Sequence, residues 1–477
     1  MKAQILNSVD YEKRLNLIYA SILLAPFMVL AALTWDIWEL KTLLIALALM
    51  TITALAFLKR ELSLYLVVLL IPIEKNFVGI RSHYQWSELI DIMPLFPWIA
   101  LAAMAGILMR KMAKISIADF ATPVNSFILI FFVWACLGLF WARNLPHSLF
   151  QLLIQVSDIV VFYLVVVTLR KNEAAHRMTV KILIFIAVIM AGLSIWSLHF
   201  LQKEIGSTYI LTKGLTLDYY IKHSNTRAKA LCHPNMLACF LNIAIAFATG
   251  LLLSLKGIFK KSFLFIIIIF LVYGVLEAKS KAGLGCLIIL GMFFLVAFNA
   301  LRAKFSRNLL IFLSIVVGLF VAQNIANGRI PRVLGSEDVS IKSRLHIWGK
   351  GFHDLFVNAP GWGLGIGGFH YYPYPHAHSI YFSTFFDFSI IGILSTAGLI
   401  IALIIRLLKL IPYQKTYAQL MLVAATGSLL VILVHGLVDF SYGYSTLWFA
   451  LGLITVTILL VEEERKSSDA VIQTTNS

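Results

Sequence analysis

Residues 380–405 read IYFSTFFDFSIIGILSTAGLIIALII, and this run of 26 residues contains one charged side chain, Asp387. A helix of this length and polarity is long enough to cross a hydrocarbon core of about 30 Å. Working outward in both directions, thirteen further apolar runs lie at about 15–33, 41–58, 62–73, 91–109, 126–141, 151–169, 180–200, 236–255, 262–276, 281–300, 308–325, 418–436 and 444–461. We therefore predict an all-α polytopic membrane protein with about 14 transmembrane helices. A count of 12 or 13 stays open, because one run is short and one connection is tight.

The composition agrees with this fold class and restricts the function. The chain is 60% hydrophobic and 13% charged, with a formal net charge of +16. In a membrane protein, basic residues first report orientation and contact with anionic lipid, so we expect membrane lipids and no nucleic acid as partners. The four Cys form neither a disulfide framework nor a zinc spacing. No cleavage pattern follows the first apolar run, which we expect to be retained as an anchor.

The distribution of Lys and Arg predicts the orientation. With the N-terminus inside, 23 of the 39 basic residues fall on the cytoplasmic side and 16 outside, ten of these in two long loops. Because short cytoplasmic loops are rich in Lys and Arg, both termini are predicted to be cytoplasmic and the long loops, 201–235 and 326–379, to face outward. The predicted organisation is a helical region at 1–325, a large outer loop at 326–379, three last helices at 380–461, and a cytoplasmic tail at 462–477.

Both long loops are basic, unlike an ordinary connection between spans. Arg227 lies in the first loop and Arg344 in the second. Arginine stays charged and binds phosphate with two parallel hydrogen bonds, so this pair is a candidate clamp for a pyrophosphate group at the outer membrane surface. The alternative is that each arginine contacts lipid headgroups.

A glycine-rich stretch, NAPGWGLGIGGF at 358–369, places five Gly in twelve residues. Successive amides in such a stretch can form an anion-binding nest, although the pattern matches neither a phosphate loop nor a dinucleotide site. The alternative is a structural turn that packs Trp362 and Phe369 against the membrane face.

Two histidines precede the apolar run at 380–405. His376 and His378 are expected at the outer mouth of the bundle, with Ser379 as the N-cap of the following helix. An imidazole there can take a proton from a sugar hydroxyl near neutral pH. The alternatives are solvated interface histidines or metal ligands, and few carboxylates lie near enough in sequence to complete a metal site. We therefore expect no metal.

His435 and Asp439 are four residues apart near the outer end of a predicted span, hence on one helical face. Ionisable residues in such a place are functional candidates, and a mutually satisfied structural pair is the alternative. No Asp-x-Asp occurs in the chain. The metal-binding acidic pair of sugar-nucleotide glycosyltransferases is thus missing, which favours a lipid-linked over a nucleotide-linked donor if the chain transfers sugars.

Four ordered stretches carry a family resemblance: RAKALCHPNMLA at 227–238, SKAG at 280–283, SRLHIWGKGFHDLFVNAPGWGLGIGGF at 343–369, and HAHSIYFSTFFDFSIIG at 376–392. In this order, with a large outer loop before three last helices, they resemble the O-antigen ligase and O-antigen polymerase superfamily of bacterial envelope glycosyltransferases. The resemblance covers about residues 225–440.

In that family, a His and a small polar residue, then nine residues and Gly-x-x-Gly, mark the catalytic end of the outer loop. His378 and Ser379 fit this motif, and Gly392 fits its second glycine. Ser389 stands where the first glycine is usual. The resemblance thus implies that His378 is the catalytic residue.

The resemblance also implies roles for two further residues. Asp387 occupies a position where the family often has an acidic residue, and Lys281 stands where an Arg that binds phosphate is common. Lys281 therefore joins Arg227 and Arg344 as a candidate for pyrophosphate binding. His376, Asp387, His435 and Asp439 are secondary candidates.

The implied activity is transfer of a glycan from undecaprenyl pyrophosphate to an acceptor hydroxyl on the periplasmic face of the bacterial inner membrane, without a metal or other cofactor. The implied partners are the lipid-linked glycan donor and an acceptor that is lipid A-core or another glycan. We expect an O-antigen ligase. The alternatives are an O-antigen or exopolysaccharide polymerase of the same superfamily, a protein-glycosylating relative, and a lipid-linked-glycan flippase or transporter.

Overall fold

The computed structural model describes residues 40–71, 95–111, 117–142, 144–196, 234–300, 311, 318, 339–359, 361–371, 377–410, 416–439 and 444–476. The helices in these ranges are α1 (Leu40–Leu58), α2 (Arg60–Leu70), α3 (Leu95–Lys111), α4 (Asn125–Leu137), α5 (Leu145–Leu169), α6 (Glu173–Trp196), α7 (Pro234–Ser254), α8 (Ile258–Glu277), α9 (Lys281–Ala300), α10 (Val339–Asn358), α11 (Gly368–Tyr371), α12 (Ile380–Lys409), α13 (Tyr417–Val438) and α14 (Ser445–Asn476). Short 3-10 helices lie at Ile117–Phe120 and Gly138–Trp141.

The predicted class of an all-helical membrane protein is confirmed for the described residues. Eight of their helices are long and apolar enough to cross a membrane, and three apolar helices are shorter. Predicted runs such as 281–300 and 418–436 differ from the observed helices α9 and α13 by at most two residues. The predicted spans at 15–33 and, apart from two residues, 308–325 lie outside the described residues.

Contacts along the bundle show which helix ends lie together. Near the beginning of α7, Asn235 reaches Asp439, which follows α13, whereas near its end Gly250 faces Ala424 in the first half of α13. α7 therefore runs antiparallel to α13. α9 also runs antiparallel to α13. Cys286, near the beginning of α9, faces Val431 of α13, and later residues of α9 face earlier residues of α13. We call the end that carries the beginnings of α7, α9 and α12 and the end of α13 the site end.

α7 forms the centre of the bundle, since almost every residue from Leu237 to Leu252 is buried. Small residues allow this close packing: a Cβ added at Gly250 would lie 2.7 Å from Cβ of Ala424 and 3.2 Å from the carbonyl oxygen of Leu420. Lipid supplies no hydrophobic force between helices, so the packing energy comes from such backbone approaches. The elements that carry the site end thus rest on a rigid core.

α12 is broken at Ser389, where the backbone has φ 54° and ψ −148°. Such a break frees carbonyl groups that would otherwise be bonded within the helix. The carbonyls of Phe386 and Asp387 accept hydrogen bonds from the amides of Leu364 (2.9 Å) and Gly365 (3.0 Å). The carbonyl of Phe388 accepts a hydrogen bond from the Trp134 indole at 3.0 Å. Broken backbone within a membrane is tolerated where protein groups satisfy it in this way.

The first half of α12 packs in its own apolar cluster with α10. Its buried members are Ile347, Leu355, Leu364, Phe369, Ala377 and Phe386. The rings of Trp348 and Phe382 stack at a centroid distance of 4.3 Å, and Phe352 lies edge-on to Phe386 at 5.4 Å. Residues further along α10 contact residues further along α12, so the two helices run in the same direction. The first half of α12 is thus attached to α10, and the second half to the main bundle.

Two polar segments contain helix. The glycine-rich segment at 361–371 includes one helical turn, Gly368–Tyr371. Residues 462–476, which belong to the predicted cytoplasmic tail, continue α14 as helix to Asn476. Ionic contacts support this extension at the end opposite the site: Arg406 to Glu462 at 2.6 Å, and Arg170 to Glu463 at 3.8 Å.

Candidate functional site

His378 lies at the junction between the glycine-rich segment and α12, and its backbone is fixed on both sides. The Trp348 indole donates to the carbonyl oxygen of Ala377 at 2.6 Å. Ser379 caps α12 by accepting from the amide of Phe382, and its hydroxyl donates to the carbonyl of Gly436 at 3.1 Å. The predicted N-cap is therefore present, and the histidine is placed by two helices.

The His378 backbone has φ 49°, in the left-handed region that few residues other than glycine adopt. Such a conformation costs about 1–3 kcal/mol and persists where the surrounding contacts impose it, often at functional sites. The side chain remains 33% exposed. His378 thus combines a constrained backbone with an imidazole that a substrate can reach.

The carboxylate of Asp439 is an ionic partner of His378. Its Oδ1 lies 3.6 Å from Nδ1 of His378, and its Oδ2 accepts a hydrogen bond from the side-chain amide of Asn235. Asp439 is the C-cap of α13, and its amide donates to the carbonyl of His435 at 3.0 Å. A carboxylate beside an imidazole stabilises the ring when it carries a proton. The structure therefore brings together the predicted catalytic residue and one of the secondary candidates.

His435 lies one helical turn before Asp439, with its side chain buried inside the bundle. The prediction that His435 and Asp439 share one helical face holds only in part, because α13 ends at Val438 and Asp439 has an extended backbone. The Asp439 carboxylate contacts the side chains of Asn235 and His378. Asp439, and not His435, is thus the residue of this pair that faces the junction.

Lys281 is the first residue of α9 and is exposed at the site end. Two residues later α9 packs closely on α7, since a Cβ added at Gly283 would lie 2.5 Å from that of Ala238, near the beginning of α7. The beginnings of α7, α9 and α12 thus lie at the same end of the bundle. Helix N-termini carry partial positive charge, so an anion placed beside these three beginnings is stabilised.

Arg344 is on α10, one turn before Trp348 and hence on the same face. Because α10 runs beside α12 with Trp348 next to Ala377, Arg344 lies further toward the site end than Ala377. Its Nε is buried, and among the described residues no acceptor is bonded to it. Arg344 thus places a cation on the side of the site that α10 covers.

Asp387 serves the glycine-rich segment. Its carboxylate accepts from the amide of Phe369 at 2.9 Å and from that of Gly367 at 3.3 Å, and the residue is only 5% exposed. The same segment also donates to the α12 carbonyls freed at Ser389. Asp387 is therefore an anchor of this segment, whereas Asp439 is the carboxylate beside His378.

The glycines of this segment are required for its close approach to the rest of the protein. Gly363 has φ 87°, and a Cβ there would lie 2.4 Å from the carbonyl oxygen of Asp387. Gly365 has φ 84°, and its Cβ would lie 2.9 Å from the carbonyl oxygen of Gly138. The amides at 364, 365, 367, 368 and 369 all donate to acceptors of the protein. This favours the structural turn over the anion nest.

The two aromatic residues of that turn have different surroundings. Phe369 is buried against Phe386, with ring centroids 4.8 Å apart. Trp362 is mostly exposed and stacks on Trp134 at 6.1 Å. Both residues thus pack on aromatic side chains of the protein, and Trp362 remains mostly exposed.

Two predicted site residues, Arg227 and His376, lie outside the described residues. Within the described part of the chain, no group of three or more His, Cys, Asp or Glu side chains is arranged to hold a metal ion. Of the predicted residues, the structure thus joins His378 to Asp439, and it places Arg344 and Lys281 at the same end.

The sequence reasoning missed a polar face on α5. His147, Gln151, Gln155 and Asp158 are spaced by four, four and three residues and so share one face of an otherwise apolar helix. Asp158 is fully buried and accepts from the hydroxyl of Ser445 at the beginning of α14. The spacing alone was enough to identify this face. Asn235 was also missed as a site residue, because its contact partner is 204 residues away.

Comparison with known proteins adds no assignment. A scan against protein-family models and a search of curated proteins both find no match to this chain.

Proposed function

We propose that this protein is a membrane glycosyltransferase that moves a glycan from undecaprenyl pyrophosphate to an acceptor hydroxyl, without a metal or other cofactor. The observation that carries the proposal is the His378 junction: an accessible imidazole, held by two helices, lies 3.6 Å from the Asp439 carboxylate. This pair lies at the end of the bundle where Arg344 and Lys281 supply positive charge. The ordered sequence features shared with the O-antigen ligase and polymerase superfamily support the same assignment.

In the proposed reaction, the acceptor oxygen attacks the anomeric carbon of the donor glycan. A new carbon–oxygen bond forms as the bond from that carbon to the pyrophosphate oxygen breaks. His378 takes the proton of the acceptor hydroxyl, and Asp439 stabilises the imidazolium that results. The leaving electron pair stays on the pyrophosphate.

The negative charge that develops on the pyrophosphate needs cationic partners. Arg344, Lys281 and Arg227 are proposed to hold it, since fixed cations aimed at developing charge lower the barrier of such a step. The beginnings of α7, α9 and α12 add partial positive charge at the same end. No metal ion is needed to perform this function in the proposed mechanism.

The proposed location is the bacterial inner membrane, with about 14 spans, both termini in the cytoplasm, and the site end in the periplasm. The positive-inside count supports this orientation. α7 and α10 both begin at the site end, so the two long loops that precede them are proposed to lie on the same side of the membrane. The proposed acceptor is lipid A-core, which makes the protein an O-antigen ligase.

A polymerase of the same superfamily, with a second lipid-linked glycan as acceptor, uses the same chemistry at the same site. One observation favours a further candidate, a flippase or transporter for lipid-linked glycans: the buried polar face of α5, with Asp158 inside a membrane-spanning helix. Ionisable residues in such places often mark transport paths.

Deletion of the gene in its host, followed by gel analysis of surface polysaccharide, separates these functions. Loss of all long-chain lipopolysaccharide with accumulation of lipid-linked polymer is the result expected for a ligase. Core bearing a single repeat unit indicates a polymerase. An unchanged pattern contradicts both assignments, and intact lipid-linked glycan retained on the cytoplasmic face indicates a flippase.

A further inference from the structure

The side-chain amide of Asn235 reaches from the beginning of α7 to the Asp439 carboxylate, and this contact was not expected from the sequence. Asn235 donates to Oδ2 of Asp439, while Oδ1 of the same carboxylate lies 3.6 Å from Nδ1 of His378. The three side chains come from three separate helix ends. They form one chain of contacts: amide, carboxylate, imidazole.

We propose that Asn235 is a positioning residue that holds the Asp439 carboxylate against His378. The proposal rests on the proposed function, because it assigns Asn235 a part in the same proton transfer. Asn235 contacts neither substrate nor the reacting atoms in this account, and it acts through Asp439 alone.

The backbone of Asp439 explains why such a residue is needed. Asp439 follows the last residue of α13, with φ −160° and ψ −179°, so the helix no longer sets the direction of its side chain. A carboxylate that can rotate loses its fixed geometry toward the imidazole. When Asn235 binds one oxygen, the other is directed at His378.

Asn235 is well placed for this function. It is the second residue of α7, directly after the buried Pro234, and α7 is the helix at the centre of the bundle. A group on such a rigid element positions its partner better than one on a loop. The side chain of Asn235 therefore links Asp439, which follows the end of a helix, to the rigid core.

The chemistry of the amide matters as much as its position. An Asn side chain donates hydrogen bonds without carrying charge, so it fixes the carboxylate and leaves its negative charge available to the imidazolium. A Lys or Arg in the same place would neutralise that charge. The residue type at 235 thus agrees with a positioning function.

Four variants test the proposal: Asn235→Ala, Asp439→Asn, the exchange N235D/D439N, and a control, Asn125→Ala. The exchange keeps an amide bonded to a carboxylate but moves the charge from α13 to α7. The control removes another structural amide, which donates to the carbonyl of Phe120 at 2.8 Å at the opposite end of the bundle. Thermal unfolding of each purified protein in detergent checks that it folds.

The first readout is glycan transfer from an extracted undecaprenyl-pyrophosphate-linked oligosaccharide. Asn235→Ala is expected to lower kcat by about tenfold to a hundredfold, as when a group that orients a metal ligand is removed, with KM for the donor changed less than about threefold. The exchange variant is expected to unfold at the wild-type temperature and to remain as slow as Asp439→Asn. Asn125→Ala is expected to keep the wild-type kcat.

The second readout needs no substrate: the rate at which diethyl pyrocarbonate modifies His378, measured by peptide mass spectrometry. This reagent attacks an accessible ring nitrogen, and the Asp439 carboxylate held 3.6 Å from Nδ1 keeps the ring in one orientation and limits that access. The rate is therefore expected to rise at least about twofold in Asn235→Ala and in the exchange variant, as in Asp439→Asn, and to stay unchanged in Asn125→Ala.

The outcomes separate the two proposals. Wild-type turnover by Asn235→Ala would show that the hydrogen bond to Asp439 is unnecessary. Wild-type turnover by the exchange variant would show that a purely structural bond is sufficient. Either result overturns the positioning function. An unchanged modification rate in both variants overturns it as well, whatever the transfer assay gives. If the wild type transfers no glycan but the modification rate still depends on Asn235, the positioning stands and the proposed function fails.

Discussion

Replacement of Asp387 tests whether the glycine-rich segment depends on one buried carboxylate. Asp387→Ala removes the acceptor of two amide hydrogen bonds, at 2.9 Å and 3.3 Å. Hydrogen bonds to a charged group contribute about 1.5–3 kcal/mol each, so the expected loss is about 3–6 kcal/mol. Asp387→Asn keeps one acceptor oxygen and is expected to lose about half as much. Equilibrium unfolding of the purified protein measures both.

The matched control is Asp354→Ala. Asp354 lies 3.6 Å from His353, whose side chain is 72% exposed, and ion pairs of this kind contribute about 0–1 kcal/mol. We expect the stability order wild type, Asp354→Ala, Asp387→Asn, Asp387→Ala, with transfer activity lost in step with the fold. If Asp387→Ala is as stable as the wild type yet inactive, Asp387 belongs to the chemistry and the anchoring argument is wrong.

Three further predictions concern the turn, the phosphate clamp and the topology. Gly365→Ala is expected to lower stability by about 1–3 kcal/mol in the same unfolding assay, because φ is 84° and the new Cβ meets the carbonyl of Gly138. The control Gly285→Ala places its Cβ in open space and is expected to cause no loss of stability. Arg344→Lys or Arg227→Lys keeps charge but loses bidentate geometry, so transfer activity is expected to fall strongly at unchanged protein level, and full activity of both variants contradicts the clamp. A reporter fused after residue 330 is expected to be active outside and one after 305 inside; a cytoplasmic result at 330 removes the basis of the orientation.

Most of the fold was predictable, because apolar runs of fixed length report spans directly. The run predicted at 126–141, for example, is observed as α4 and the following 3-10 helix, Asn125–Leu137 and Gly138–Trp141. The break at Ser389 was not predictable. The local sequence there has no proline, and the groups that satisfy the freed carbonyls come from Trp134 and from the glycine-rich segment, far away in the chain.

The candidate site was predictable to a different degree for each residue. The position of His378 followed from local features: a Gly- and Pro-rich segment, then Ser379 as a cap, then a helix. The pairing of Asp439 with His378 and Asn235 did not, because it depends on how three helix ends meet. The function of Asp387 as an anchor was hidden for the same reason, since its partners, such as the amide of Phe369, are set by tertiary packing.

The most direct test of the account is glycan transfer by purified His378→Ala in a metal-free assay with lipid-linked donor. Loss of a general base is expected to lower the rate by about 10²- to 10⁴-fold. His376→Ala is expected to keep part of the activity, His353→Ala all of it, and EDTA to have little effect on the wild type. Normal turnover by His378→Ala, or complete inhibition by EDTA that a divalent metal reverses, would contradict the proposed mechanism.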